Sequence, residues 1–183
     1  MMSNESQTTD LENIRNYAKK LTEDAYTLAL SHFYRANWWG KLHYLFGGLA
    51  ITLSALAGSS LLYEPPQLQK IAGICALLSS IIIALVTFAK PHKEEQDHYR
   101  AGSRFITLYY KAWVIWKAES VRNTEEEKNL TDKLHELIKE MEEIDKISPR
   151  IPESTWTKAL ENCKNHFDES YVITVKKPWW KFW

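Results

Sequence analysis

Two apolar segments separated by a short connector with two prolines dominate the middle of this 183-residue chain. Residues 42–63 and 71–89 contain no Asp, Glu, Lys or Arg. As helices rising about 1.5 Å per residue they would be roughly 33 and 28 Å long, which matches a hydrocarbon core of about 30 Å. We therefore predict two transmembrane helices. A helical hairpin in the core of a soluble protein fits the same hydropathy pattern and is the alternative.

The connector, residues 64–70, contains Pro65 and Pro66, and we expect the helix to be interrupted there. The two spans are then antiparallel neighbours. The connector carries one cation, Lys70, and one anion, Glu64. The other ends of the spans are richer in cations. The positive-inside rule therefore predicts that both termini are cytoplasmic. Those cations are Arg35, Lys41, Lys90, Lys93, Arg100 and Arg104.

Small residues recur at helical spacing along both predicted spans, where they let helix backbones approach closely in lipid. Antiparallel pairing would bring Ala50 to the depth of Ala84. We predict that one ladder from each span forms the interface between them, and the residues of these ladders are Ala50, Ser54, Gly58, Ala72, Ala76, Ser80 and Ala84.

The first span carries a second small-residue face, made of Gly48, Thr52, Ala55 and Ser59. Once the other ladder has paired, this face needs a second protomer or a hydroxyl-lined cavity, which suggests a homo-oligomer. The alternative is that these residues simply face lipid. Neither span contains a charged side chain, so the usual mark of proton relays and charge-selective channels is missing, and any pore requires several protomers.

Helices with heptad-like seams are predicted on both sides of the membrane. The seam of residues 11–28 is expected to end near the polar His32. After Pro91 a long helix is predicted, and its apolar face is expected to include Tyr99 and Trp113. A second seam follows, and a short helix over residues 153–166 precedes the aromatic and basic tail at 176–183. The members of that second seam are Leu130, Leu134, Leu137, Met141 and Ile144.

Three basic residues, Arg100, Arg104 and Lys111, align on the opposite face of the long helix. They are candidate contacts for anionic lipid head groups or for a ligand phosphate, and a solvated face is the alternative. The only grouping that resembles a metal site has His92, Glu94, Asp97 and His98 as members.

We predict no metal, no cofactor and no catalytic residue, because the chain lacks a phosphate-binding glycine loop, a nucleophile elbow and a His-Glu-x-x-His pattern. The chain is therefore not expected to be an enzyme. Its formal net charge of zero gives no reason to expect nucleic acid as a partner.

These features together predict an all-α integral membrane protein with a two-span antiparallel transmembrane helical hairpin and long cytoplasmic coiled-coil-like helices. Residues 1–38 form the N-terminal cytoplasmic helix and 39–90 the hairpin, with spans 42–63 and 71–89. Residues 91–147 form the long cytoplasmic helices, and 148–183 form a short helix and an aromatic-basic tail.

The order of features resembles the SLATT family, the SMODS- and SLOG-associating two-transmembrane effector domains of bacterial conflict systems. The resemblance rests on Trp38-Trp39, on the connector 64–66, on the motif at 99–102 (Tyr-Arg-Ala-Gly), and on residues 147–152 followed by Trp156. It covers nearly the whole chain, although the aromatic tail matches no pattern of that family.

The resemblance implies a multi-pass protein of the bacterial inner membrane that acts as an antiphage effector. Such an effector would oligomerise and permeabilise the membrane when a separate sensor or nucleotide-signalling protein activates it. The alternative function is a membrane-anchored scaffold or adaptor, which would bind partners through its cytoplasmic helices while the hairpin serves only as an anchor.

Overall fold

The computed structural model describes residues 2–60, 66–117 and 124–167, and every regular element among them is an α-helix. This confirms the all-α prediction for the described part of the chain. The C-terminal end of the first predicted span, the first two residues of the connector and the aromatic tail lie outside those residues. The helices are α1 (Met2–Ser60), α2 (Pro66–Ala89), α3 (Pro91–Trp116), α4 (Thr124–Ile147) and α5 (Glu153–Phe167).

Two helix boundaries differ from the prediction. The predicted boundary between residues 38 and 39 falls inside α1, which continues unbroken to Ser60. The second helix begins at Pro66, five residues before the predicted start of the second span at residue 71. Proline fits there because the first N–H groups of a helix have no partner within the helix, so proline's missing donor costs nothing at that position.

A single residue, Lys90, separates α2 from α3. Its N–H donates to the Val86 carbonyl at 3.0 Å, and its own carbonyl accepts from the N–H groups of Lys93 at 2.9 Å and Glu94 at 3.2 Å. Its φ of 45° lies in the left-handed region, which costs a non-glycine residue roughly 1–2 kcal/mol. Lys90 therefore ends one helix and begins the next, with Pro91 at the first helical position of α3.

The chain divides into two compact units, one formed by Met1–Phe33 with Arg100–Trp183 and the other by Tyr34–Tyr99. The first unit has an ordinary apolar core, to which α1, α3 and α4 contribute. This confirms the predicted seams of α1 and α4. The buried members of the main cluster are Ile14, Ala18, Leu21, Ala25, Leu108, Ala112, Ile115, Leu134 and Leu137.

The buried face continues further along α1 than predicted, and on α3 it lies at a different angle. His32, where the seam was expected to end, is buried and stacks on Phe105 with ring centroids 5.5 Å apart. On α3, Tyr99 and Trp113 are exposed. Other members of the same face, Tyr109 and Trp116, are half-buried and pack against the main cluster, so the expected face is confirmed in part. The buried residues of α3 are Pro91, His98, Ala101, Gly102, Phe105, Leu108, Ala112 and Ile115.

Gly102 lies where α3 packs tightly against α1 in this first unit. A Cβ atom built on Gly102 would lie 2.9 Å from Cε1 of Phe33, closer than real Cβ contacts occur. Glycine at this position therefore allows the Phe33 ring to rest directly on the α3 backbone.

Candidate functional site

The second unit carries large apolar side chains on its outside. Two helical stretches, within Leu11–Ser59 and Leu68–Trp116, are long and apolar enough to cross a membrane by length and composition. Ile51 is 73% exposed and Phe88 is 92% exposed. In the first unit, by contrast, the leucines and isoleucines of the helix seams are mostly buried in a core. Other exposed members are Leu45, Leu49, Leu56, Ile71, Ile74, Leu77, Leu78, Ile81, Ile83 and Leu85.

Small residues occupy the contact between α1 and α2. Ala50 and Ala57 of α1 and Ala72 of α2 are buried, and Ser79 is only 3% exposed. The Ser79 hydroxyl donates to the Ala50 carbonyl at 3.0 Å, and it lies 2.7 Å from the Ser54 hydroxyl. Since a hydroxyl has one proton, Ser54 is the donor to Ser79. Two hydrogen bonds in series thus join the two helices.

This geometry corrects the predicted contact on α2. Ala76, Ser80 and Ala84 are exposed, and the Ser80 hydroxyl bonds to the Ala76 carbonyl of its own helix at 2.8 Å. The predicted residues lie about one position away from the real contact stripe, and Ala72 alone belongs to both. The fully or partly buried stripe of α2 comprises Leu68, Ala72, Cys75, Ser79, Ile82 and Val86.

On α1, two of the three predicted contact residues lie in the contact and one does not. Ala50 is buried and Ser54 reaches Ser79, whereas Gly58 is exposed. A Cβ built on Gly58 would have no neighbouring atom within 4 Å in the described part of the chain. The buried small residue near this end of the helix is Ala57 instead.

The second small-residue face of α1 is exposed along its whole length, at Gly48, Thr52, Ala55 and Ser59. Both of its hydroxyls bond to carbonyls of their own helix, Thr52 to Gly48 at 2.8 Å and Ser59 to Leu56 at 3.1 Å. The face therefore presents a shallow surface whose polar groups are already satisfied. Such a surface lets another helix approach closely in lipid.

Where the first apolar segment begins, α1 contacts α3 through a glycine and two histidines. A Cβ on Gly40 would lie 2.7 Å from Oε1 of Glu95, and the rings of His43 and His92 are 5.6 Å apart. His92 Nδ1 lies 3.5 Å from Glu95 Oε2. Gly40 therefore makes room for a carboxylate, and residues 40–43 pack on residues 92–95.

Arg35 and two tryptophans lie just ahead of that contact. The Arg35 guanidinium is 4.1 Å from the ring centroid of Trp38 and 5.0 Å from that of Trp39. Arginine stacked on indole is a common cation–π arrangement. The Trp38 side chain is exposed despite this stacking.

His98 is 2% exposed, and burial is the main reason why its pKa falls to about 4. The positive charge of Arg35 lowers this pKa further, and Asp97 raises it. The imidazole is therefore neutral at physiological pH. No group of three or more His, Cys, Asp and Glu within residues 2–60, 66–117 and 124–167 is arranged to hold a metal.

The basic line of α3 is less available than predicted. Lys111 forms an ion pair with Glu140 of α4, with both carboxylate oxygens 2.8 Å from Nζ. Arg104 lines an open groove together with Glu140 and Glu143. Arg100, Arg104 and Lys111 are all exposed, and the charge of Lys111 is paired with Glu140. The structure does not bring these three residues together into an anion site.

Sequence reasoning missed Ser79, because it belongs to no small-residue ladder, and it missed the Gly40–Glu95 contact, which joins distant parts of the chain. Comparison with protein-family models, with curated proteins and with solved structures gives no match.

Proposed function

We propose that this chain is a two-span membrane protein that self-associates and permeabilises the bilayer as an effector of a bacterial conflict system. The observation that carries the proposal is the reversed distribution of side chains in the second unit. Large apolar residues face outward there, and the contact between α1 and α2 is made of alanines and hydrogen-bonded serines. This arrangement suits a lipid solvent, in which small residues and hydroxyls hold helices together.

An antiparallel hairpin with both termini in the cytoplasm fits the cation distribution around the spans. The contact from Ser54 to Ser79 and from Ser79 to Ala50 supports the pairing of the two spans. Recovery of the full-length chain as a folded monomer in detergent-free buffer, or its extraction from membranes by alkaline carbonate, would contradict the membrane proposal.

The exposed face of Gly48, Thr52, Ala55 and Ser59 supports self-association. One hairpin offers two helices and no charged side chain within residues 42–63 and 71–89, so a single protomer has no means of lining a water-filled path. Several protomers joined through this face would place the hydroxyls of Thr52 and Ser59 toward each other. A leak then requires an oligomer, and the resemblance to SLATT effectors suggests that a separate sensor or nucleotide signal triggers it.

The test is dye release from liposomes that contain the purified chain at increasing protein-to-lipid ratios. We expect release to rise more steeply than in proportion to the protein, because several copies are needed. Ser59→Leu should block close approach and abolish release. Ser80→Leu is the matched control, because Ser80 is also exposed and bonded to its own helix but lies on α2.

Intact vesicles at every protein density, and in the presence of candidate nucleotide signals, would contradict the permeabilising role. Equal release by Ser59→Leu and the parent chain would contradict the assigned face. Under the scaffold alternative, partners would have to bind the exposed faces of the cytoplasmic helices, because Leu134 and Leu137 of the α4 seam are buried in the chain's own core.

A further inference from the structure

Three lysines lie near the end of the apolar region at which residues 40–43 contact residues 92–95. Lys41 comes directly before the first apolar segment, Lys90 directly after α2, and Lys93 in the first turn of α3. All three side chains are exposed. Each belongs to the second unit, so their mutual placement follows from contacts within that unit.

Those contacts bring the lysines to nearly one level. Position 40 lies against position 95 and position 43 against position 92, so α1 and α3 run in opposite directions here. Continuing this register places Lys93 beside residue 42 and Lys90 beside residue 45. With a rise of about 1.5 Å per residue, the three lysine positions span a slab about 6 Å thick along α1. The head-group region of one leaflet has a similar thickness, about 5–8 Å.

The surroundings of the lysines match a boundary between lipid tails and head groups. Tyr44 is 77% exposed next to Lys41, and the exposed Phe88 precedes Lys90 by two residues. The nearby carboxylates of Glu94 and Glu95 are half-buried, and Glu95 packs on Gly40. The three lysines are therefore exposed, whereas the Glu95 carboxylate lies in the contact between α1 and α3.

Lys90 gives a second, independent indication. Its left-handed backbone conformation is one that glycine adopts without strain, yet the chain has a lysine there. Strained backbone positions cluster at functional sites, where the side chain has a role. The side chain at this junction emerges at the same level as Lys41 and Lys93.

We propose that Lys41, Lys90 and Lys93 form a head-group collar that binds the phosphates of anionic phospholipids. The proposal rests on the membrane-spanning part of the proposed function and adds a lipid class to it. It also replaces Arg100, Arg104 and Lys111 as the lipid-contacting basic residues. Each lysine near an anionic membrane surface strengthens the binding to that surface up to about fivefold. Three lysines should therefore select strongly for anionic lipid.

The test measures the association of spin-labelled phosphatidylglycerol and phosphatidylcholine with the full chain in proteoliposomes. We expect a several-fold preference for phosphatidylglycerol that shrinks in 0.5 M salt, where the screening length is about 4 Å. The triple variant Lys41→Gln, Lys90→Asn, Lys93→Gln should bring the preference close to one. A control that removes the same charge from α4 by Lys128→Gln, Lys133→Gln and Lys139→Gln should retain it, since these exposed lysines lie in the other unit.

The variant Lys90→Gly distinguishes lipid binding by Lys90 from a purely structural role of this residue. It removes both the strain and the charge, so the melting temperature should hold or rise while the preference for phosphatidylglycerol falls. A parent chain that spans the vesicles without preferring phosphatidylglycerol would overturn the collar and leave the membrane proposal standing. Equal loss in the α4 control would also overturn it, and a chain that does not insert into vesicles would refute the membrane proposal first.

Discussion

Acidification should destabilise this protein through His98. The buried imidazole has a pKa of about 4, whereas a histidine in the unfolded chain titrates near 6.5. Between those two pH values His98 binds a proton in the unfolded state but not in the folded state. The free energy of unfolding therefore falls as the pH falls. The contribution of His98 is fully present above pH 6.5 and is lost progressively toward pH 4.

The expected loss follows from these two values. Each pH unit within the window is worth about 1.4 kcal/mol, so lowering the pH from 7.5 to 5.0 removes about 2 kcal/mol. For a chain of this size that corresponds to a decrease of about 4–8 °C in melting temperature. This decrease in melting temperature can be measured by tryptophan fluorescence while the detergent-solubilised protein is heated.

His98→Gln provides the comparison, because glutamine keeps hydrogen-bonding groups and does not titrate. Burial also lowers the pKa of His166, so part of the acid effect is common to both proteins, and only the difference between them reports on His98. The parent chain should lose about 4–8 °C more than the variant between the two pH values. The same loss in both proteins would refute the assignment to His98.

Two substitutions test the helix contacts, each with a matched control. Ser79→Ala removes both interhelical hydrogen bonds and should lower the free energy of unfolding by about 1 kcal/mol, whereas Ser80→Ala, which loses only a bond within its own helix, should leave the melting temperature unchanged. Gly102→Ala forces its Cβ against Phe33 and should cost about 1–3 kcal/mol in the same melting assay, whereas Gly48→Ala, with open space around it, should be neutral or slightly stabilising.

The sequence was sufficient for the helices and for the seams that use large aliphatic residues. Leu134 and Leu137 are buried as their four-and-three spacing predicts, because burying a leucine side chain away from water stabilises the folded state. His32 shows where this reasoning ends. Its polarity suggested the end of a seam, but a flat imidazole can stack on Phe105, and only the three-dimensional placement of that ring reveals it.

The contacts between the two apolar helices were harder to predict, because several faces of each helix consist of small residues. A ladder of alanine and serine does not identify its own partner, so the ladder pointed to Ser80, and only the rotation of α2 shows that Ser79 makes the contact. Likewise, nothing near Gly40 in the sequence indicates that a carboxylate more than fifty residues away will occupy the space beside it. The candidate lysine collar depends on that contact and was therefore invisible to pattern analysis.

The hydrogen-bond chain that ends on the Ala50 carbonyl makes the partnership of the two helices chemically one-sided. Its terminal acceptor belongs to the main chain, so no replacement at position 50 can delete it, provided that the new side chain is small enough to fit. Position 79, in contrast, must supply a hydroxyl. Position 50 should therefore tolerate any sufficiently small side chain, whereas position 79 should tolerate only side chains with a hydroxyl group. Saturation mutagenesis at these two positions would reveal this asymmetry.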